Sequence, residues 1–326
     1  MNVETKIRAA IPGAPAIASA FSRLARGNPS EFGADLVELE KHFSIAGTLS
    51  QSHCYALALD GMGWPRTNLL VENICGLVVE YAIPRSKIAS AVEECAHRGN
   101  NGPIVRLANE ARGLFTHLSN SGEGGELLLF CLAEMVLGYP QLIAKMHLKT
   151  ATDVHYHGAD GVHASVDGDT GQLCLWWGES KLHKTAASAI TDCIASLTPL
   201  LLEPASSKAK RARDLTLLRY GIDLDDNALE EAIRAYLDTK NPNYNKLKFG
   251  AIGMVGFDHK CYPAHPTKAD ADEIAGAIMS SMDKWKDRFS EKIGNQNLNN
   301  IDFHIFFLPF PSVKEFRDEV RKSVGV

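Results

Sequence analysis

Residues 155–184 read HYHGADGVHASVDGDTGQLCLWWGESKLHK, and this stretch decides the fold that we predict for the chain. Two runs of alternating apolar and polar residues, Gly161–Asp167 and Leu173–Glu179, flank the turn sequence GDTG at 168–171. Alternation with a period of two on both sides of a glycine-containing turn predicts a β-hairpin. If the turn is centred between Asp169 and Thr170, the register of the two strands is fixed.

That register places Asp160 directly across from Glu179 at the open end of the hairpin. Side chains alternate between faces along a strand, so Glu179 and Lys181 point the same way. Two carboxylates that face each other destabilise a sheet unless a cation lies between them. The pattern therefore predicts a divalent metal ion held by Asp160 and Glu179.

Magnesium suits such a pair, because Mg²⁺ prefers carboxylate, water and phosphate oxygens and promotes phosphodiester hydrolysis. Lys181 would orient or deprotonate the attacking water and offset charge on the transition state. Glycines on both sides of Asp160 and the pair Trp176-Trp177 favour a buried site. We interpret the pattern as a metal-dependent phosphodiesterase centre. From the residues alone, a weak solvated Glu–Lys pair on a strand surface is the alternative.

Glu126–Leu137 is apolar on nearly every side, which predicts a buried helix. A carboxylate in its first turn is costly to bury unless a cation, a metal or the helix N-terminus compensates it. Glu126 fits any of these accounts. Glu134, two turns later, is predicted to be a surface or ion-pair residue.

Three segments carry a resemblance to a known family. They are GEGGELLLFCLAEMVLG at 122–138, HLKTATDVHYHGADGVH at 147–163 and LWWGESKLHKT at 175–185. Together they resemble the PD-(D/E)xK nuclease superfamily and, within it, the HamA family, the nuclease subunits of the Hachiman anti-phage defence system. The resemblance is specific between about Glu123 and Lys184. Ala159 stands where the superfamily's name has proline.

The resemblance implies catalytic roles for Glu126, Asp160, Glu179 and Lys181. Asp160 and Glu179 would bind Mg²⁺ or Mn²⁺, Glu126 would position the metal or a water, and Lys181 would assist the nucleophile. It also implies an α/β fold with a mixed sheet flanked by helices, DNA as the substrate, and a superfamily 2 helicase, HamB, as the partner that restrains the enzyme until infection.

Two other functions are compatible with the sequence. The chain could be a stand-alone restriction-like or repair nuclease, which would cleave DNA without a partner. It could instead be a non-catalytic binding subunit of a helicase complex, although the intact set of Asp160, Glu179 and Lys181 disfavours that function.

The composition of the 326 residues bounds these hypotheses. The net charge of −5 is unusual for a nuclease that binds duplex DNA strongly by itself, and it suits one that a partner delivers. A basic cluster (Lys208, Lys210, Arg211, Arg213 and Arg219) favours a solvated linker over a phosphate contact. Seven cysteines without a C-x-x-C spacing predict reduced core residues and do not suggest zinc. No membrane span or signal peptide is evident, so we expect a cytoplasmic protein.

We predict an N-terminal α/β accessory domain over 1–118 and a nuclease domain over 119–326. Leu142–Leu148 is a candidate first strand of the nuclease domain, and Lys248–Phe257 and Ile301–Leu308 are apolar enough for buried strands. His53, Cys54 and Asp60 lack a catalytic elbow motif and are predicted to be structural. The histidines at 155, 157 and 163 are predicted to be neutral and hydrogen-bonded rather than metal ligands.

Overall fold

The computed structural model describes residues 12–27, 29–115, 122–148, 158–167, 169–202, 210–263 and 267–326. Its centre is a six-stranded mixed sheet with the order β1-β2-β6-β5-β4-β3. The strands are β1 (Leu36–Ser44), β2 (Ser50–Leu57), β3 (Gly161–Val166), β4 (Leu173–His183), β5 (Leu247–Asp258) and β6 (Phe303–Phe310). β2, β6, β5 and β4 run parallel, and the two outer strands are antiparallel to their neighbours.

Helices cover both faces of this sheet. They are α1 (Ala14–Leu24), α2 (Thr67–Gly76), α3 (Val78–Ala82), α4 (Arg85–Arg98), α5 (Gly102–Gly113), α6 (Glu123–Met135), α7 (Ala186–Leu202), α8 (Lys210–Gly221), α9 (Asn227–Leu237), α10 (Ala271–Asn295) and α11 (Val313–Val324). Side-chain caps define several starts: Asp226 accepts from the Leu229 N–H, and Ser312 accepts from the Glu315 N–H. The predicted mixed sheet flanked by helices is confirmed.

The two faces can be told apart at β4. Gly125 of α6 lies against Ser180 and Leu182, whereas Cys193 of α7 lies against Gly253 of β5, which pairs with Glu179. Since neighbouring residues of a strand point to opposite faces, α6 and α7 cover opposite faces of the sheet. Glu179 and Lys181 therefore point toward α7, and Ser180 points toward α6.

The predicted strand at Leu142–Leu148 is wrong. Only Gln141 forms a bridge, to His163, with hydrogen bonds from Leu142 N–H to Val162 O (2.9 Å) and from Ala164 N–H to Pro140 O (3.1 Å). The chain then forms a 3₁₀ turn at Lys145–Leu148. Pro140 has no N–H with which to extend a ladder. Without this candidate strand, only β3 and β4 lie between α6 and α7 in the chain.

Two further predictions need correction. The prediction of a solvated basic linker is wrong for residues 210–221, which form α8. Arg211 donates to Leu201 O (2.9 Å) and lies over the Phe249 ring. Lys208 lies outside the described residues. Glu134 is not a surface residue, being 2% exposed. Its predicted ion pair is confirmed, with Arg85 at 3.5 Å.

The first 118 residues and the remainder of the chain contribute to the same sheet. β2 pairs with β6 from Ser50↔Phe303 to Cys54↔Phe307, so β1 and β2 extend the sheet that contains β3 and β4. The division at residue 118 stays a prediction, and it lies among residues 116–121, outside the described part of the chain. In the described residues, no helix has both the length and the apolar character that crossing a bilayer requires.

Gly250 provides a test of the packing in the centre of the sheet. A Cβ there would lie 2.5 Å from two ring carbons of Trp176 and 3.1 Å from the Asp302 carbonyl, so Gly250→Ala is expected to lower the free energy of unfolding by about 1–3 kcal/mol. Gly276→Ala is the matched control, because that helical glycine has open space around it and should gain about 0.5–1 kcal/mol. Urea denaturation measures both changes; equal stability of the two variants would contradict the packing.

Candidate active site

The β3–β4 hairpin has the predicted register. Val162 pairs with Trp177 and Gly161 pairs with Gly178 at the end of the ladder. Asp160 comes next, and its N–H donates to Gly178 O (2.8 Å). The carboxylates of Asp160 and Glu179 therefore meet at the open end of the hairpin, close enough for the Asp160 charge to raise the pKa of Glu179.

The Asp160 carboxylate continues the hydrogen-bonding edge of β4 beyond the end of β3. Its Oδ2 accepts from Ser180 N–H (2.7 Å) and from Ser180 Oγ–H (2.9 Å). Burial raises the pKa of Asp160, although the Ser180 N–H and the charge of Lys181 act in the opposite direction. The two Ser180 bonds hold the carboxylate in a fixed place at the end of the strand.

Glu179 and Lys181 form an ion pair on the α7 side of β4. Lys181 Nζ contacts Glu179 Oε1, and Glu179 is 5% exposed. Burial and the neighbouring Asp160 raise the pKa of Glu179 to about 7, against the effect of Lys181. Burial would lower the pKa of Lys181, but the charges of Glu179 and Asp160 outweigh it and raise that pKa. Lys181 is therefore an ammonium group at neutral pH.

Glu126 lies on the α6 side. The glycine pair before it lets α6 approach the sheet, since a Cβ at Gly125 would lie 3.1 Å from Ser180 Oγ. Glu126 is half-buried, and its Oε2 accepts from the Tyr81 hydroxyl (3.0 Å). Burial raises the pKa of Tyr81 well above its usual value, and the charges of Glu126 and Asp160 raise it further. Both carboxylates thus lie near the same hydroxyl.

Some of the predicted site residues interact directly, and one does so only through another residue. Asp160, Glu179 and Lys181 interact directly, and Glu126 joins them through Tyr81. Within the described residues, His42, His53 and His304 are the only group of three His, Cys, Asp or Glu side chains with ligand atoms all within 4.8 Å of one another. Glu126, Asp160 and Glu179 do not form such a group.

A second buried ion pair lies behind Asp160. Lys145 Nζ contacts Asp214 Oδ2 at 3.1 Å and donates to Ala159 O at 3.0 Å, and the Ala159 N–H donates to Asp214 Oδ2 at 3.3 Å. Both side chains are almost fully buried. Gly158 fits against this pair because a Cβ would lie 2.7 Å from Asp214 Oδ1. The pair fixes the backbone that leads into Asp160.

The donor set at the hairpin end fits a hard divalent cation. Asp160 and Glu179 offer carboxylate oxygens, which Mg²⁺ and Mn²⁺ prefer. Burial raises the pKa of both carboxylates, and the Asp160 charge raises that of Glu179 further, a repulsion that a divalent ion would relieve. The residues present therefore fit the predicted ion, and Asp160 and Glu179 are the residues that would hold it.

A cleft of about 1110 Å³ opens at the carboxyl ends of the parallel strands. Lys184 follows β4, Asp258 ends β5 and Pro311 follows β6, and all three line the cleft. Arg66 and Lys260 add positive charge to its wall. Ligands of open α/β sheets bind at this edge. The cleft begins about 10 Å along the strand from Lys181.

Sequence reasoning missed Tyr81, Ser180, Lys145 and Asp214. Tyr81 and Asp214 reach the site from helices far away in the sequence, and no local pattern marks them. Ser180 lies inside the E-x-K pattern, so its place beside Asp160 could have been anticipated from the register. His163 is neutral as predicted: its Nδ1 bonds Tyr139 O (2.9 Å), and burial lowers its pKa to about 4. The histidines at 155 and 157 lie outside the described residues.

Comparison with known proteins agrees with the resemblance of the motifs. The HamA family model matches residues 33–324, which is most of the chain and includes every predicted site residue. A comparison with curated proteins finds no significant match. The chain therefore belongs to the HamA family and is a component of the Hachiman anti-phage defence system.

Proposed function

We propose that this chain is the metal-dependent DNA endonuclease of its Hachiman system. The observation that carries the proposal is the buried carboxylate pair of Asp160 and Glu179 at the end of a hairpin, with the Lys181 ammonium against it. A structural ion pair needs one acid and one base. Here two buried acids share one ammonium, a costly arrangement that a bound divalent ion would compensate.

Asp160 and Glu179 would hold Mg²⁺ or Mn²⁺. When bound, the ion supplies Lewis-acid activation of the phosphodiester and lowers the pKa of an attacking water. The protein's own contribution is orientation: Ser180 fixes one oxygen of Asp160, and Lys181 fixes one oxygen of Glu179. Ser196 also hydrogen-bonds Glu179, so both carboxylates would be held in place before an ion binds.

Lys181 acts in this proposal as a cation rather than as a base. Its raised pKa keeps the ammonium protonated, so it would offset negative charge that develops on the phosphate oxygens in the transition state. Of the three roles expected for Lys181, charge stabilisation and orientation of the water are therefore favoured over deprotonation.

Glu126 would act indirectly, and a hydrogen bond from Tyr81 holds it in position. Tyr81→Phe removes the hydroxyl that donates to Glu126 Oε2 and is expected to lower the cleavage rate about tenfold. The free energy of unfolding should fall by about 1 kcal/mol. A plasmid-cleavage time course and thermal unfolding measure the two effects. Tyr220→Phe is the matched control, because Tyr220 is 80% exposed. Unchanged cleavage by Tyr81→Phe would exclude a role for this contact.

The cleft offers a path for the substrate. Lys184, Lys260 and Arg66 would contact phosphates along its wall and lead the strand toward Lys181. Carboxylates also line the cleft, among them Glu315 and Glu319, and the net charge of the chain is −5. Such a surface binds DNA weakly by itself. We therefore propose that the HamB helicase partner, which membership of the family implies, brings DNA to this nuclease and restrains it until infection.

The test is a cleavage assay on the tag-free chain, alone and co-expressed with its helicase partner. Supercoiled plasmid should be converted to open-circular and linear forms in Mg²⁺ and left intact when EDTA is added. With the helicase bound, cleavage should require a disturbed DNA substrate such as a single-stranded gap. The same conversion in EDTA would overturn the metal dependence, and no cleavage with or without the partner would overturn the nuclease function.

A further inference from the structure

A cluster of three histidines lies on the sheet away from the carboxylates. His42 is on β1, His53 on β2 and His304 on β6, and one ring nitrogen of each lies within 4.8 Å of the other two. His53 Nε2 and His304 Nδ1 are 3.1 Å apart. Two nitrogens bound to one tetrahedral Zn²⁺ would be roughly 3.3 Å apart. The pair is thus already spaced for a shared metal ion.

The local backbone turns His42 toward this pair. The β1–β2 register shifts between Glu40 and Phe43, and His42 has a φ of 52° inside that irregular segment. A β-bulge redirects a side chain, and a positive φ in a residue other than glycine carries strain. The strained residue is the one that completes the cluster. Its Nδ1 bonds Gln51 Oε1 (2.9 Å); because that oxygen only accepts, Nδ1 carries the proton and the Nε2 lone pair is free.

The environment keeps the two buried histidines neutral, as metal ligands must be. Burial lowers the pKa of His53 to about 2, with further lowering by the neighbouring histidines and Lys41. Burial also lowers the pKa of His304 to about 4. The second nitrogen of His304 lies 3.4 Å from the Tyr139 hydroxyl, the kind of outer partner that orients a metal-binding imidazole. His42 is exposed, which gives an ion a way in.

A hydrogen-bonded chain of histidines is the competing account. The His42 N–H lies 3.4 Å from His53 Nδ1, so His53 would donate from Nε2 to His304 Nδ1, and His304 Nε2 to Tyr139. Metal binding would move the His53 proton to Nδ1, and the long contact between the His42 backbone N–H and His53 Nδ1 would be lost. That account explains the two buried rings, but it assigns no purpose to the exposed His42 ring or to its strained backbone.

We propose that His42, His53 and His304 form a three-histidine site for a divalent transition-metal ion of the Zn²⁺ class, with a fourth position open to solvent. Imidazole nitrogens favour such ions over Mg²⁺. The site is separate from the proposed Mg²⁺ site. His304 of β6 aligns through Ile252 of β5 with Gly178 of β4, so a whole strand lies between His304 and the strand that carries Glu179.

The experiment is a titration of the tag-free, chelator-treated full chain with Zn²⁺ by calorimetry and with Co²⁺ by visible absorption. An Asp160→Asn background removes the carboxylate site. In that background we expect one equivalent of Zn²⁺ to bind, and Co²⁺ to give the intense bands of a four-coordinate site. Adding His42→Asn should weaken Zn²⁺ binding at least about tenfold and abolish those bands. Asparagine tolerates a positive φ, so this variant keeps the backbone of β1.

His97→Asn, made in the same background, is the matched control, because His97 is an exposed histidine on α4. It should bind Zn²⁺ as the background does. Thermal unfolding provides the second readout: Zn²⁺ should raise the melting temperature of the background protein and leave that of His42→Asn unchanged. Equal Zn²⁺ affinity with and without His42, or no Zn²⁺ bound in the Asp160→Asn background, would overturn the proposal and leave a hydrogen-bonded histidine chain only.

Discussion

Lys181→Ala is expected to lower DNA cleavage by about 100- to 1000-fold while the protein stays folded. The ammonium contacts Glu179 Oε1, and its charge also acts on Asp160. Without it, the two buried carboxylates lose their shared cation, their pKa values rise further, and the phosphate loses a positive charge in the transition state. Lys181 lies near the end of β4 and is partly exposed, so truncating it leaves no cavity in the core.

Lys248→Ala is the matched control for this experiment. Lys248 lies on the neighbouring strand β5 and pairs with Asp302 at 3.1 Å, but it is half-exposed and lies at the opposite end of the strand from the proposed site. It should cleave plasmid at the normal rate. Circular dichroism and the melting temperature establish that both variants are folded. Full activity of folded Lys181→Ala would refute its assignment, whatever the behaviour of the control.

Asp214→Ala is expected to lower the free energy of unfolding by about 3–5 kcal/mol. Asp214 is 1% exposed and is the carboxylate paired with the buried Lys145, so its removal leaves an ammonium uncompensated inside the protein. It also frees the Ala159 N–H, which Asp214 Oδ2 accepts. Since Ala159 precedes Asp160, we expect cleavage to fall as well, even at temperatures where the variant remains folded.

Glu110→Ala is the comparison for Asp214→Ala. Glu110 pairs with Lys87 at 2.6 Å, a shorter contact than that of Lys145 with Asp214, but both members of this pair are about 40% exposed. Exposed pairs contribute about 0–1 kcal/mol. Denaturant unfolding should therefore separate the two variants by several kcal/mol. Similar losses in both would show that burial does not set the energy of the Lys145 pair.

The hairpin was predictable because its determinants are local. Alternating residues and a glycine turn specify which side chain faces which, and the observed pairing of Val162 with Trp177 is the one that the turn predicts. The buried helix α6 was predictable for a similar reason, since a helix that is apolar on all sides has to be covered. The meeting of Asp160 and Glu179 follows directly from that register.

The errors arise where contacts distant in the sequence override the local pattern. Leu142–Leu148 is apolar enough for a strand, but Lys145 within it forms the buried ion pair with Asp214. Residues 145–148 therefore form a 3₁₀ turn instead of joining the sheet. Tyr81 reaches Glu126 from a short helix 45 residues earlier. A single sequence contains no signal for such contacts, since each depends on how separate helices pack on the sheet.

The pairing of β2 with β6 has a consequence for the timing of synthesis. His304 follows His53 by 251 residues, so the ribosome must add a long stretch of chain before β2 can meet its parallel neighbour. Distant strand pairings of this kind form slowly. Until β6 emerges, β5 also lacks one of its two neighbours, and the β3–β4 hairpin extends an incomplete sheet. If the hairpin carries the proposed site, a nascent chain would therefore stay inactive on DNA until β6 has been made.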